Sequence, residues 1–99
     1  MIIVSAKFTA KPGLKEKITE VSRNAVELTR KEKGNISYTL LSSTEDDTFM
    51  YFEEWDSLES LKAHLKTEHI AAARDARKDM ITGPVTVRVF EAKEVSLQG

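Results

Sequence analysis

The 99-residue sequence contains no cysteine, and this absence excludes disulfides, thiolate metal sites and cysteine nucleophiles together. It also fits a reducing compartment. Neither sign of charge predominates, because 15 basic residues stand against 16 acidic ones, for a net charge of -1. A chain without a basic excess lacks the electrostatic field that non-specific phosphate binding needs. We therefore expect no nucleic-acid partner.

Long apolar runs are also missing. No stretch approaches the roughly 20 residues of a transmembrane helix, and residues 1–5 lack the basic region and cleavage site of a signal peptide. These absences predict a cytoplasmic protein with no membrane partner. The composition, with 40% apolar and 31% charged residues, is that of a globular protein. The length predicts a single domain over residues 1–99.

Glycine and proline are few, and they punctuate the first half of the chain. Residues 2–10 alternate apolar and polar side chains until Pro12-Gly13, which predicts a strand. Apolar residues then recur at helical spacing until Gly34, which follows a lysine-rich turn and is expected to close a helix. The predicted inward stripe of this helix is Leu14, Ile18, Val21, Ala25 and Leu28.

The second half of the chain begins with a predicted hairpin. Residues 36–43 and 48–55 are β-branched and aromatic and flank a polar turn. Two short helices should follow, the first capped by Asp56 or Ser57 and the second starting at Thr67. Gly83-Pro84 is expected to interrupt regular secondary structure before a last strand that begins at Val85.

This order of elements favours an α+β ferredoxin-like sandwich (β-α-β-β-α-α-β) with an antiparallel sheet and all helices on one face. The strand at residues 48–55 carries large apolar groups on both sides. Its uncovered side would expose an apolar patch, which soluble monomers usually avoid. We therefore expect a homodimer in which two sheets face each other as a dimeric α/β barrel. The apolar residues of that side are Ile3, Leu41, Met50, Phe52 and Phe90.

Candidate site residues cluster at the end of the hairpin and just after it. Tyr51, Glu53 and Trp55 share one face of their strand by two-residue spacing, and Tyr38 is expected near them on the neighbouring strand. His64 lies on the flank of the following helix's apolar stripe and should point inward. Together these residues predict an aromatic, partly polar cavity.

The second histidine opens the last predicted helix. His69, Ala73, Ala76 and Met80 form an inward stripe whose small or flexible members leave room beside an imidazole. His64 and His69 are five residues apart across a helix break, and no third ligand stands near them in sequence. We therefore expect no metal site.

Other features favour ordinary surface structure. Arg74, Asp75, Arg77 and Lys78 are interpreted as a solvated helix face. The chain has no glycine-rich phosphate loop and no serine elbow, so nucleotide cofactors and acyl transfer have no support. We expect no cofactor.

Several short motifs fall along nearly the whole chain. They are Ala10-Lys11-Pro12-Gly13, Glu32-Lys33-Gly34-Asn35, Tyr38, Glu53-Glu54-Trp55, the spaced Leu61, His64, Thr67 and His69, and Thr82-Gly83-Pro84. With these motifs the sequence resembles the antibiotic biosynthesis monooxygenase superfamily of small dimeric α+β barrels. That superfamily includes quinol monooxygenases and a branch that processes a phosphorylated autoinducer.

The resemblance implies a pocket between the helices and the sheet in which an aromatic quinol reacts with dioxygen without flavin or metal. His64 would act as the base, and Glu53 would hold its tautomer or anchor a substrate hydroxyl. Aromatic rings would stack on the flat substrate. The residues implied to contact substrate are Tyr38, Tyr51, Trp55 and His69.

Three other functions are weighed against this one. Haem-degrading relatives fit poorly, because Arg74 stands where they place an iron-ligating histidine and His64 stands where they place a tryptophan. The autoinducer branch shares Thr67, His69 and residues 80–84, which implies proton transfer on a phosphorylated ketone with Arg74 or Arg77 at the phosphate. A non-catalytic dimer that binds a small metabolite is the third possibility.

Overall fold

Strands and helices form in the order that the sequence predicts, in a computed structural model that describes residues 1–98. The strands are β1 (Ile2–Ala10), β2 (Asn35–Ser42), β3 (Thr48–Trp55) and β4 (Ile81–Glu91). The helices are α1 (Lys15–Thr29), α2 (Leu58–His64) and α3 (Glu68–Arg77). Within residues 1–98, none of the helices has the length and apolar content that crossing a bilayer requires.

The four strands form one sheet in the order β2-β3-β1-β4, and every neighbouring pair is antiparallel. One face of the sheet carries the core. Val4 and Phe8 of β1 and Tyr51 and Trp55 of β3 are buried there, and the helices contribute Ile18, Leu61 and Ile70 to the same cluster. The predicted α+β ferredoxin-like sandwich is therefore confirmed.

The opposite face of the sheet remains accessible in the chain. Leu41 and Phe90 are 45% and 40% exposed, and Ile3, Met50 and Phe52 are half-buried. These are the apolar residues that alternation along the strands predicts for this face. The homodimer that would cover them stays a prediction.

Helix α1 is shorter than the sequence predicts. It ends at Thr29 rather than just before Gly34, and residues 30–34 form turns. Its buried residues are Ile18, Ser22, Ala25 and Thr29. The predicted stripe is therefore wrong at Val21, which is half-buried, and at Leu28, which is 38% exposed. Tertiary packing selects the shorter side chains at the edge of the stripe, because they allow closer approach to the sheet.

Strand β4 starts earlier than predicted, at Ile81 rather than Val85. Lys7 of β1 pairs with Thr86 and Thr9 pairs with Thr82, so two extra residues of β4 bulge out between these pairs. Gly83 there has a φ of 74°. Because β4 is an edge strand, the missing N–H of Pro84 is tolerated. Gly83-Pro84 therefore forms a bulge within the strand instead of preceding it.

Gly34 fixes the loop between α1 and β2 against the start of α2. Its φ is 87°, and a Cβ at this position would collide with the Asp56 and Ser60 side chains. Its carbonyl accepts a hydrogen bond from the Asp56 N–H at 2.9 Å. Ser57 caps α2 by accepting from the Ser60 N–H. The loop, the end of β3 and the first turn of α2 are thereby held together.

We predict that Gly34→Ala destabilises the protein much more than Gly13→Ala. Both glycines have positive φ, but a Cβ at Gly13 meets nothing within 4 Å. Gly13→Ala should cost about 1–2 kcal/mol from the left-handed backbone alone, and Gly34→Ala should add about 1–3 kcal/mol of overpacking. Urea unfolding measures both free energies. Equal losses in the two variants would show that the close approach at Gly34 is unimportant.

Candidate active site

A cavity of about 530 Å³ lies between the buried face of the sheet and helices α2 and α3. This volume is in the range of small-molecule sites. Its walls are mostly aliphatic, and on the β4 side Val87 and Val89 are 57% and 48% exposed. The remaining lining residues carry the polar groups that such sites use for orientation. These groups belong to Tyr38, Tyr51, Glu53, His64, Arg74, Arg77 and Lys78.

Strand register brings the sheet residues of this cavity together. Tyr38 of β2 pairs with Glu53 of β3, and Glu53 pairs with Val4 of β1. Tyr51 lies two residues before Glu53 and therefore projects from the same face. The Tyr38 and Tyr51 rings are 5.2 Å apart between centroids. The result is a phenol-lined wall with one carboxylate in it.

Glu53 is a buried carboxyl group, with 6% of its surface exposed. Its Oε1 accepts a hydrogen bond from Trp55 Nε1 at 3.0 Å. Burial raises the pKa of Glu53, and the hydrogen bond from Trp55 opposes this only in part. Burial likewise raises the pKa of the Tyr38 hydroxyl, with a further contribution from the charge of Glu53. Both groups therefore favour their neutral forms more than they would in water.

His64 ends α2 and points inward, as predicted, with 2% of its surface exposed. Its ring lies 4.7 Å from the Trp55 ring and 5.4 Å from the Tyr38 ring. The sequence predicts an inward stripe of Leu58, Leu61 and Leu65 on α2. Leu61 is buried as predicted, Leu58 is 43% exposed, and Leu65 is 48% exposed although it lines the cavity. The helix turns His64, rather than Leu58, toward the sheet.

Glu32 joins both histidines. Its Oε2 lies 2.8 Å from Nδ1 of His64 and 2.8 Å from Nε2 of His69. Since an ionised carboxylate only accepts hydrogen bonds, both of these ring nitrogens carry hydrogen when the three groups are in this arrangement. In a neutral His64 the lone pair is then on Nε2, which makes no hydrogen bond to residues 1–98.

The charge state of His64 is set by two opposing effects. Burial disfavours the imidazolium and lowers the pKa of His64 below its ordinary value of 6.5. The hydrogen bond and negative charge of Glu32 act in the other direction without overcoming burial. His64 is therefore neutral at pH 7, with a free lone pair on a ring that lines the cavity.

The sequence predicts that Arg77 belongs to a solvated helix face, and this prediction is wrong. Only 9% of its surface is exposed. Its guanidinium lies 5.3 Å from the Phe8 ring centroid and 5.5 Å from that of Tyr51, and it donates a hydrogen bond to the Tyr51 hydroxyl at 3.4 Å. The predicted stripe of α3 is also wrong at Ala76, which is exposed while Ile70 and Arg77 are buried.

The structure divides the predicted site residues into two groups. Tyr38, Tyr51, Glu53 and His64 line the cavity. Trp55 is fully buried behind it and supports Glu53 and His64, and His69 is bound to Glu32 outside the cavity wall.

Sequence reasoning missed Glu32, which is far from both histidines along the chain. The available signal was Gly34, because a left-handed turn just before β2 places residue 32 beside the end of β3, where α2 begins. It also failed to predict the burial of Arg77, whose long side chain can bury its stem from a position that looks exposed.

The fold and the cavity together define a small α+β protein with a cavity of small-molecule size between one sheet face and two helices. The sequence profile of the antibiotic biosynthesis monooxygenase family matches residues 1–76, and the chain belongs to this family. Family membership supports a function of the monooxygenase type.

Two curated proteins illustrate the similarity. YcnE of Bacillus subtilis (strain 168), provisionally named a monooxygenase, is 28% identical over 95% of this chain and the full length of that one. The uncharacterised protein sll1783 of Synechocystis sp. is 29% identical over 94% of this chain. The chain spans 64% of the length of sll1783.

Solved structures show the same architecture. The crystal structure of an antibiotic biosynthesis monooxygenase has a TM-score of 0.87 and 27% identity, covering 95% of this chain and 100% of that one. Rv0793 from Mycobacterium tuberculosis has a TM-score of 0.87 and 25% identity, covering 97% of this chain and 98% of that one.

We predict that Glu53→Gln stabilises the protein at neutral pH. The pKa of Glu53 is raised above 4.5 in the folded state, so its ionisation destabilises the fold. That destabilisation is absent below pH 4.5 and fully present above the raised pKa. Glutamine removes the charge and keeps an acceptor for Trp55. The difference in unfolding free energy between variant and wild type should therefore grow from pH 4 to pH 8, as measured by urea titrations. A difference independent of pH would contradict the assigned burial of the charge.

Proposed function

We propose that this protein is a monooxygenase that oxidises a small aromatic quinol with dioxygen inside the cavity. The observation that carries the proposal is the neutral His64 imidazole, held by Glu32 at Nδ1 and unpartnered at Nε2 within residues 1–98. A base of this kind is what a quinol needs, because its deprotonated form passes an electron to dioxygen far more readily than the neutral form. The phenol rings of Tyr38 and Tyr51 offer faces for a flat substrate.

Proton transfer is the step in which these residues act. Nε2 of His64 takes the proton of a substrate hydroxyl, and the imidazolium that forms is stabilised by the Glu32 carboxylate at Nδ1. Glu53 stands on the facing strand and, when protonated, donates a hydrogen bond to a second substrate oxygen. Trp55 holds Glu53 in place through its indole N–H.

The remaining chemistry belongs to the substrate. The quinolate gives one electron to dioxygen, and the resulting radical pair combines to form a bond between a ring carbon and oxygen. Cleavage of the O–O bond releases water and leaves a new oxygen on the ring. A hydroquinone and one dioxygen thus give a hydroxyquinone and water. The protein contributes deprotonation and orientation.

A second candidate function is isomerisation of a phosphorylated ketone by proton transfer. The observation in its favour is the cationic side of the cavity, where Arg74, Arg77 and Lys78 stand near the same base. Guanidinium groups suit phosphate oxygens. We rank this function below oxygenation, because the Arg77 guanidinium is already engaged with Phe8 and Tyr51. A non-catalytic dimer that binds a small metabolite in this cavity is the outcome if neither reaction occurs.

We predict that His64→Gln lowers dioxygen consumption with a naphthoquinol by about 10²-fold or more, the usual effect of losing a general base. His69→Gln is the matched control, because His69 shares the Glu32 carboxylate but does not line the cavity, and it should lose much less. The acid limb of wild-type kcat/KM should have its midpoint below pH 6.5, since burial lowers the pKa of His64.

Two results would overturn this assignment. Full turnover by His64→Gln would remove the base from the mechanism. No oxygen uptake by wild type, together with a rise in Tm on adding inorganic phosphate, would favour the isomerase instead. If wild type shows neither oxygen uptake nor a rise in Tm with phosphate, a non-catalytic binding protein is favoured.

The proposed active form is a homodimer joined through the open sheet face. Apolar residues lie side by side on that face, Leu41 with Met50 and Ile3 with Phe90, and Phe52 lies two residues from Met50 along β3. Phe52→Glu and Leu41→Glu should shift the protein to monomer by placing charge in the interface, as measured by light scattering. Asn24→Glu, at an exposed position of α1 on the opposite side of the sheet, provides a control for added charge. A monomeric wild type at working concentration would rule out the dimer.

A further inference from the structure

We propose that Glu32, His64 and His69 form a binding site for one zinc ion or a similar divalent transition-metal ion. Each residue offers one ligand atom, and the three atoms lie within 4.8 Å of one another. Two imidazole nitrogens and one carboxylate oxygen are a ligand set that zinc and other first-row metals accept, with a fourth position left to water.

The geometry is near that of a zinc site. Tetrahedral ligands at about 2.0–2.1 Å from zinc are about 3.3 Å from one another. The Glu32 oxygen is 2.8 Å from each imidazole nitrogen, so a metal would separate these pairs slightly and draw the two nitrogens together. His69 and Glu32 have side chains 16% and 15% exposed, which leaves a route for the ion from solvent.

Glu32 supplies negative charge at the centre of the cluster, because one of its carboxylate oxygens lies 2.8 Å from a nitrogen of each imidazole. A cation bound between these three ligand atoms is therefore paired with a charge that the cluster itself contains.

The site has a consequence for the base that rests on the proposed function. A metal on Nδ1 of His64 occupies the nitrogen that now carries hydrogen, so the ring proton moves to Nε2. Nε2 then has no lone pair to accept a substrate proton. Zinc bound to this cluster would therefore inhibit the reaction without entering the cavity.

The binding test uses the full chain after treatment with a chelator and dialysis. Zinc chloride is added in competition with a chromophoric chelator, and we expect one zinc per chain. The sequence has no cysteine and only two histidines, so no other cluster of soft ligands competes. Glu32→Gln and His69→Gln should weaken zinc binding at least about tenfold. Glu59→Gln, an exposed carboxylate on α2, is the control and should bind zinc as wild type does.

Circular dichroism and urea unfolding establish that each variant is folded before its zinc affinity is compared. X-ray absorption on the zinc complex should show nitrogen and oxygen ligands with imidazole scattering. Absence of zinc binding by wild type, or equal affinity in folded His69→Gln, would overturn the site.

Oxygen consumption with a naphthoquinol separates the two proposals. Zinc should inhibit wild type and leave His69→Gln less affected at the same concentration. Bound zinc without inhibition would overturn the effect on the base. If wild type binds zinc but does not consume oxygen, the proposed function is contradicted and the metal site is not.

Discussion

The carboxylate of Glu32 is the one interaction on which the site depends. A single oxygen accepts hydrogen from imidazoles on two helices, while the residue itself belongs to the loop between α1 and β2. The loop, α2 and α3 are thus joined at one partly buried carboxylate. The same contact fixes the tautomer of His64, so that packing and acid-base chemistry follow from one hydrogen-bond acceptor.

The fold was largely predictable because alternation and helical spacing are local properties of the sequence. β1 and β3 alternate so regularly that their bounds, and the face that carries Phe8 and Tyr51, follow from residue order alone. The errors fall at element ends. Gly34 marks a left-handed turn, which sequence reasoning took for the end of a helix, and Gly83 marks a bulge rather than a break. A positive φ is predictable at glycine, but whether that glycine ends a helix, forms a turn or forms a bulge is not.

The site was predictable only where its residues share a strand or a helix. Tyr51 and Glu53 lie on one face by their spacing, and His64 follows Glu53 by 11 residues, on the next helix. Glu32 lies 32 residues from His64 in sequence, and only the tertiary fold brings them together. The burial of Arg77 was unpredictable for a different reason. Its guanidinium packs on the rings of Phe8 and Tyr51, which are distant in sequence.

Trp55 gives the molecule a built-in optical reporter. It is the only tryptophan, it is fully shielded from solvent, and its indole contacts both the Glu53 carboxyl and the His64 ring. Its emission therefore comes from one environment and is sensitive to the protonation of the two groups beside it. Ligand binding in the cavity and ionisation of Glu53 or His64 can be followed in the unlabelled protein by the fluorescence of Trp55.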